Sequence, residues 1–207
     1  MLLVWDEDRF AIMVAKVLRP AVAGDDVDLV VGIGECGLDY YYDKSDRSAQ
    51  RERFQAHIEA ARQTKLPLVV HTRDAEEDTA EILSREVGKG GVTGVLHCFT
   101  SSAQLAAKAL DLGFCISISG IVTFKNAKDL QEVARTIPQD RLLVETDAPY
   151  LLPRTVKPAP SHRRNEPMYL AHIVEELARD RGEDVAVTAG ATSATANAFF
   201  RLPPMPG

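Results

Sequence analysis

Glu35, His71, His97 and Asp147 each stand at the end of a short apolar run: VDLVVGIG before Glu35, LPLVV before His71, GVTGVL before His97 and RLLVET before Asp147. Carboxylate oxygens and neutral imidazole nitrogens are the mixed hard and borderline donors that suit Zn²⁺, Mn²⁺ or Mg²⁺. A carboxylate can bridge two ions through its two oxygens, and Glu35 is placed to do so. Two such ions ~4 Å apart activate a water and stabilise the leaving oxygen of a phosphodiester. An unliganded oxygen of Asp147 can take the proton of that water. Taken singly, a strand-end His is more often a hydrogen-bonded structural residue, and an Asp before Ala-Pro is more often a turn former. Four in succession at the ends of strands of one sheet read as a hydrolytic metal site.

Basic residues close to these positions suit an anionic substrate. Arg73, two residues past His71, has a fork that matches phosphate oxygens. Arg154, Lys157, Arg163 and Arg164 lie in the Pro-rich stretch that leaves Asp147, and Arg163 and Arg164 are expected to meet a nucleic-acid backbone. The other histidines do not share the strand-end placement. His57 reads as a solvated helix position, His172 as a partly buried one, and His162 as a loop residue. Cys36, Cys98 and Cys115 read as buried free thiols. Strand alternation is expected to turn Cys98 away from the face of His97, so it is not counted as a ligand.

The elements that must carry these side chains follow from the hydrophobic pattern. Apolar runs at about 28–33, 67–71, 92–97, 114–118 and 141–145 alternate with helical spacing at 47–64, 76–87, 102–111 and 126–136. Runs that are apolar throughout fit parallel strands covered by helices. Ser101 or Ser102, and Asn126, are expected helix N-caps. Residues 149–167 read as a long irregular segment, followed by helices at about 167–181 and 183–200. Residues 1–26 supply one amphipathic helix, about 6–18, and no strand. The reading is an α/β chain of the TIM-barrel (β/α)8 type holding about five of the eight β/α units, organised as one domain over 1–207. The strands near 28–33 and 141–145 are then expected to leave unpaired edges.

The formal net charge of −6 over 207 residues argues against a uniformly basic nucleic-acid-binding surface. No apolar run approaches the ~20 residues that span a bilayer, and the start MLLVWDEDRF lacks the basic-then-apolar order of a secretion signal. A cytoplasmic location is the expectation.

Six segments, GIGECGLDYYYD (32–43), LVVHTRDA (68–75), VLHCFTSS (95–102), SISGIVTFKNA (117–127), LLVETDAPYLLP (142–153) and HRRNEP (162–167), resemble in order the signature blocks of the TatD family. These are metal-dependent deoxyribonucleases of the amidohydrolase-like TIM-barrel group, and the resemblance runs from about residue 27 to 200. It implies that Glu35 bridges two divalent ions (Mg, Mn or Zn), that His71 and His97 bind one of them, and that Asp147 binds the other and handles the proton of the attacking water. It implies 3′-to-5′ exonuclease action on DNA, with single strands or 3′ ends favoured. Some relatives act on other esters, including D-aminoacyl-tRNA. The family's barrel opens with a strand ending in His-x-His, and this sequence contains no such pair. The Glu35 block resembles the fourth strand. The first three strands are therefore expected to be absent, one metal held where the family holds two, and nuclease activity weak or missing. A contrasting expectation is a catalytically inactive remnant that binds nucleic acid or a partner through open sheet edges.

Overall fold

The computed structural model describes residues 14–17, 29–157 and 164–202. Among these, six strands form one sheet in sequential order. They are β1 (Val14–Val17), β2 (Leu29–Asp39), β3 (Leu68–Arg73), β4 (Gly94–Leu96), β5 (Cys115–Ile118) and β6 (Leu142–Val144). β2 through β6 run parallel, and β1 pairs antiparallel with β2. A helix follows each of β2 to β5: α1 (Arg47–Thr64), α2 (Glu76–Val87), α3 (Ala103–Asp111) and α4 (Lys128–Thr136). After β6 the chain ends in α5 (Leu170–Arg181) and α6 (Val185–Phe200). Parallel β/α units whose strands never reverse order have the topology of a segment of a (β/α)8 barrel. A doubly wound sheet would show a switch point.

Local chemistry sets the helix limits. Asp46 caps α1 by accepting from the Ser48 and Ala49 amides, and Lys65 ends the helix in a left-handed conformation. Phe54, Ile58 and Ala61, spaced four and three apart, are its buried residues. Full burial of Phe54 and Ile58 contributes about 1.5–3 kcal/mol each. Ser102 caps α3 by accepting from the Leu105 amide, as the sequence suggests. Asn126 does not cap α4: that helix starts one residue later, from Ala127, with no side-chain cap bond.

The two faces of the sheet are divided by strand alternation. Leu68, Val70, Leu96, Ile116, Ile118 and Leu142 belong to the main core, together with apolar residues of α1 to α5 such as Phe54, Ile82, Leu105, Leu130 and Ile173. Residues one position out of phase, Val95, Cys115 and Leu143, form a smaller cluster with Val69 and with Ala196 and Phe199 of α6. Helix α6 thus closes part of the face opposite the main core. Its buried positions are Thr188, Thr192 and Thr195. Thr192 and Thr195 return their hydroxyls to helix carbonyls four residues back, and Thr195 also donates to the Gln139 carbonyl.

The N-terminal part departs from the sequence reading. Residues 14–17 form a strand where a helix over 6–18 is expected, with Val14 opposite Ile33 and Val17 opposite Leu29. The segment VAKV is short and half β-branched, and β2 offers an open row of backbone donors and acceptors. The β2 edge expected to be bare is therefore covered at its N-terminal half. Residues 6–13 and 18 of the expected helix lie outside the described residues. β6 is last in the sheet, with no further strand beside it among the described residues. No helix among these residues is long and apolar enough to cross a membrane.

Candidate metal centre

Three of the four strand-end residues converge. Glu35 Oε1 lies 3.2 Å from His71 Nδ1 and 2.8 Å from His97 Nε2. One ligand atom from each of the three can be chosen so that all lie within 4.8 Å of one another. Each imidazole also meets a second carboxylate on its far nitrogen: His71 Nε2 is 3.1 Å from Asp39 Oδ2, and His97 Nδ1 is 3.2 Å from Glu145 Oε1. The result is an alternating line of charge, Asp39–His71–Glu35–His97–Glu145, laid across three neighbouring strands and the end of β6.

Close backbone approach makes this possible. Gly37, at φ +128°, sits opposite His71 in the β2–β3 register. A Cβ there would lie 1.9 Å from the His71 carbonyl oxygen. No side chain is compatible with that distance, so glycine sets the spacing between the strand carrying Glu35 and the strand carrying His71.

The electrostatics follow from the contacts. Burial disfavours charge on Glu35, but its hydrogen bonds to His71 and His97 outweigh that and hold the carboxyl well below the usual range. Burial also opposes charge on His97. The bonds to Glu145 and Glu35 reverse the balance and push its pKa up to about 10. His71 is raised for the same reason, by Glu35 and Asp39 acting against burial. Glu145 is lowered, since His97 overcomes the effect of its burial. Each imidazole thus lies between two carboxylates, an arrangement that favours its protonated form when no metal is bound. Two imidazole nitrogens and a carboxylate oxygen within 4.8 Å are a donor set that fits one divalent ion of borderline type. Asp39 and Glu145 meet the far nitrogens of the two rings, as carboxylates that orient metal-binding imidazoles do.

Asp147 does not join that trio. It groups with Cys98 and Glu145, whose ligand atoms likewise lie within 4.8 Å of one another. Burial and the charge of Glu145 raise the Asp147 carboxyl. Cys98 corrects an expectation: it faces this group. β4 ends at Leu96, and Cys98 has a left-handed backbone (φ 45°), so strand alternation no longer decides its direction. Its thiol donates to Ser119 Oγ at 3.3 Å. Burial and nearby carboxylates push its pKa up to about 12, so it is no ready thiolate ligand. Cys36 and Cys115 are buried free thiols, as expected.

The loop after β6 is fastened beside Asp147. Asn165, 2% exposed, donates from Nδ2 to the Thr146 carbonyl at 2.7 Å and from its amide to the Pro149 carbonyl at 3.1 Å. This sets exposed Arg164 next to the residue pinned against Thr146. His162 and Arg163 lie outside the described residues. Arg73 stands at the opposite rim, stacked on Tyr41 and Tyr42 with its Cζ 4.1 and 4.9 Å from the ring centroids. Among the described residues it pairs with no carboxylate. His57 Nδ1 lies 2.7 Å from the Arg53 carbonyl within α1, and His172 is half-buried beside Glu175 and Tyr169.

Asp39, Glu145 and Asn165 are site residues that the sequence reading passed over. For Asp39 a signal was present: it lies four residues past Glu35 within β2, an even spacing that returns a strand to the same face.

A run of parallel β/α units with carboxylates and imidazoles gathered at the carboxyl ends of the strands defines the class of metal-site (β/α)8-barrel proteins. Residues 18–201 match the sequence model of the TatD related DNases, and the chain belongs to the TatD family. An uncharacterized metal-dependent hydrolase of Bacillus subtilis, YabD, is 43% identical over 173 residues, which are 84% of this chain and 66% of the relative. The 3′-5′ ssDNA/RNA exonuclease TatD of Salmonella typhimurium is 42% identical over 175 residues, again 84% of this chain and 66% of the relative. The crystal structure of YjjV, a TatD homologue from Escherichia coli K12, aligns with a TM-score of 0.75 at 28% identity, covering 84% of this chain and 65% of that one. The chain spans just under two thirds of the length of these relatives.

Proposed function

We propose that this chain carries the metal-holding and proton-handling residues of a hydrolase that cleaves phosphodiester bonds of DNA from the 3′ end. The observation that carries the reading is the shared oxygen of Glu35, set between two imidazoles from adjacent strands, with Asp147 beyond them. Glu35, His71 and His97 would hold one divalent ion, which supplies Lewis-acid polarisation of a phosphoryl oxygen and a more acidic water. Asp39 and Glu145 keep the two rings turned so that one nitrogen of each faces Glu35. Asp147, whose carboxyl is raised by burial and by Glu145, accepts the proton of the attacking water. Arg73 and Arg164 would meet the phosphates on either side, and Arg163, next to Arg164 in the sequence, is proposed to assist them. A nucleic-acid substrate is favoured by the likeness to the Salmonella relative, a 3′-5′ ssDNA/RNA exonuclease.

The test is incubation of the purified chain with a single-stranded oligonucleotide labelled at its 5′ end, with Mn²⁺, Mg²⁺ or Zn²⁺ in turn. The expected result is slow shortening from the 3′ end that stops with chelator and is lost in Glu35→Gln and Asp147→Asn. No shortening with any of the three ions, or shortening that survives Glu35→Gln, overturns the reading.

A further inference from the structure

We propose that Tyr41 and Tyr42, braced by Arg73, form a stacking platform for an unpaired nucleobase beside the metal centre. This inference rests on the nucleic-acid reading above and names the part of the substrate that the platform takes.

The three consecutive tyrosines after β2 do different work. Tyr40 is turned inward, packs against the main core and donates its hydroxyl to Asp78. Tyr41 and Tyr42 are each 58% exposed, among the large apolar-bodied side chains most open to solvent in the described residues. Their rings meet edge to face, with centroids 5.0 Å apart and planes at 86°. Arg73 lies over both, and Lys44 Nζ stands 5.6 Å from the Tyr42 centroid. Exposed rings kept beside two cations match the alternation of flat base and phosphate in a single strand: every base has a face to stack, and each phosphate needs a positive neighbour. An aliphatic ligand would make no use of the cations.

The platform is tied to the centre by one side chain. Asp39 Oδ1 accepts from the Tyr41 and Tyr42 amides at 3.0 and 2.8 Å. Asp39 Oδ2 faces His71 Nε2. The backbone bearing the rings and the imidazole are therefore held by opposite oxygens of one carboxylate. Gln50 fixes that segment from α1, accepting from the Asp39 amide and donating to its carbonyl. The rings thus stand on a turn fastened through Asp39 to the candidate metal ligand His71.

The experiment measures affinity, with chelator present so that no strand is cut. Fluorescence anisotropy compares a 5′-labelled single-stranded oligonucleotide with the same strand made abasic at its last three 3′ positions. The wild-type chain is expected to bind the complete strand roughly five-fold or more tightly than the abasic one. Tyr41→Ala/Tyr42→Ala is expected to erase that preference while leaving residual, salt-sensitive binding of both strands. Tyr41→Phe/Tyr42→Phe, which retains both rings, is expected to keep it, and circular dichroism checks that both double variants fold. Equal wild-type affinity for the two strands, or a preference that survives the alanine variant, overturns the platform alone. Absence of binding to either strand overturns the nucleic-acid reading and the platform with it.

Discussion

Glu145 offers the sharpest test of how the metal centre is built, because its removal has two effects of opposite sign. Its carboxylate lies 3.2 Å from His97 Nδ1 and so fixes which nitrogen of that ring turns towards Glu35. Loss of an outer-shell partner of this kind weakens metal binding about 10- to 100-fold, or roughly 1.4–2.8 kcal/mol. Against this, Glu145 also stabilises the imidazolium that a metal must displace. With the His97 pKa near 10, releasing that proton at pH 7 costs about 4 kcal/mol, and a variant lacking Glu145 recovers part of it. The proton effect grows as pH falls, while the orientation effect does not. Glu145→Ala is therefore expected to weaken Mn²⁺ binding at pH 8.0 by at most the roughly 100-fold of the lost orientation, and by less at pH 6.5. Glu145→Gln, which can still accept from Nδ1–H, is expected to lose less than the alanine variant. Isothermal titration in two buffers of different ionisation enthalpy reads both the dissociation constant and the protons released per ion, and the alanine variant should release fewer. An unchanged dissociation constant at pH 8.0, or a loss larger at pH 6.5 than at 8.0, would refute the reasoning.

Gly37→Ala should cost about 3 kcal/mol or more, since it adds a strained backbone angle to a Cβ placed 1.9 Å from the His71 carbonyl oxygen; denaturant unfolding with less than 1 kcal/mol of change would contradict the assigned close approach. Glu86, with its side chain 7% exposed, accepts from Arg62, Arg85 and Lys89. Glu86→Ala should cost about 2 kcal/mol and lower the melting temperature by roughly 4–8 °C, checked by calorimetry. In the chelated chain, the raised pKa of His97 contributes stability that is complete below its unfolded value of about 6.5 and is lost as pH rises through about 10. Melting temperature should fall across that interval, and His97→Gln should flatten the fall.

Part of the candidate site is legible in the sequence: Glu35, His71 and His97 end apolar runs and converge, while Asp147 ends a fourth run and groups elsewhere. Helices α1 to α3 were equally open to reading, since positions such as Phe54, Ile58 and Ala61 repeat at helical spacing. What escaped has physical causes. Asp39 and Glu145 occupy the same face as the recognised residues, but that face is defined only once β2 and β6 have neighbours. Alternation turns Cys98 away from His97, but alternation ceases where β4 stops at Leu96. Residues 14–17 take their conformation from the open edge of β2, a tertiary influence that local spacing cannot express. Helix α6 falls where the sequence places one, but the threonines it buries donate to carbonyls or, for Thr188, to the Glu183 carboxylate, so its inward positions do not look apolar.

The small cluster beneath the centre has one further consequence. At the ends of β3, β4 and β6, an apolar residue of this cluster stands two positions before the charged one: Val69 before His71, Val95 before His97, and Leu143 before Glu145. Two residues of strand rise about 6–7 Å. The charged line therefore rests on an apolar floor, backed by Ala196 and Phe199. A low-dielectric floor denies field lines a path through the protein and sends them out through the mouth. Three carboxylates and two imidazoles that would be heavily screened on an ordinary surface here act together on whatever cation approaches from outside.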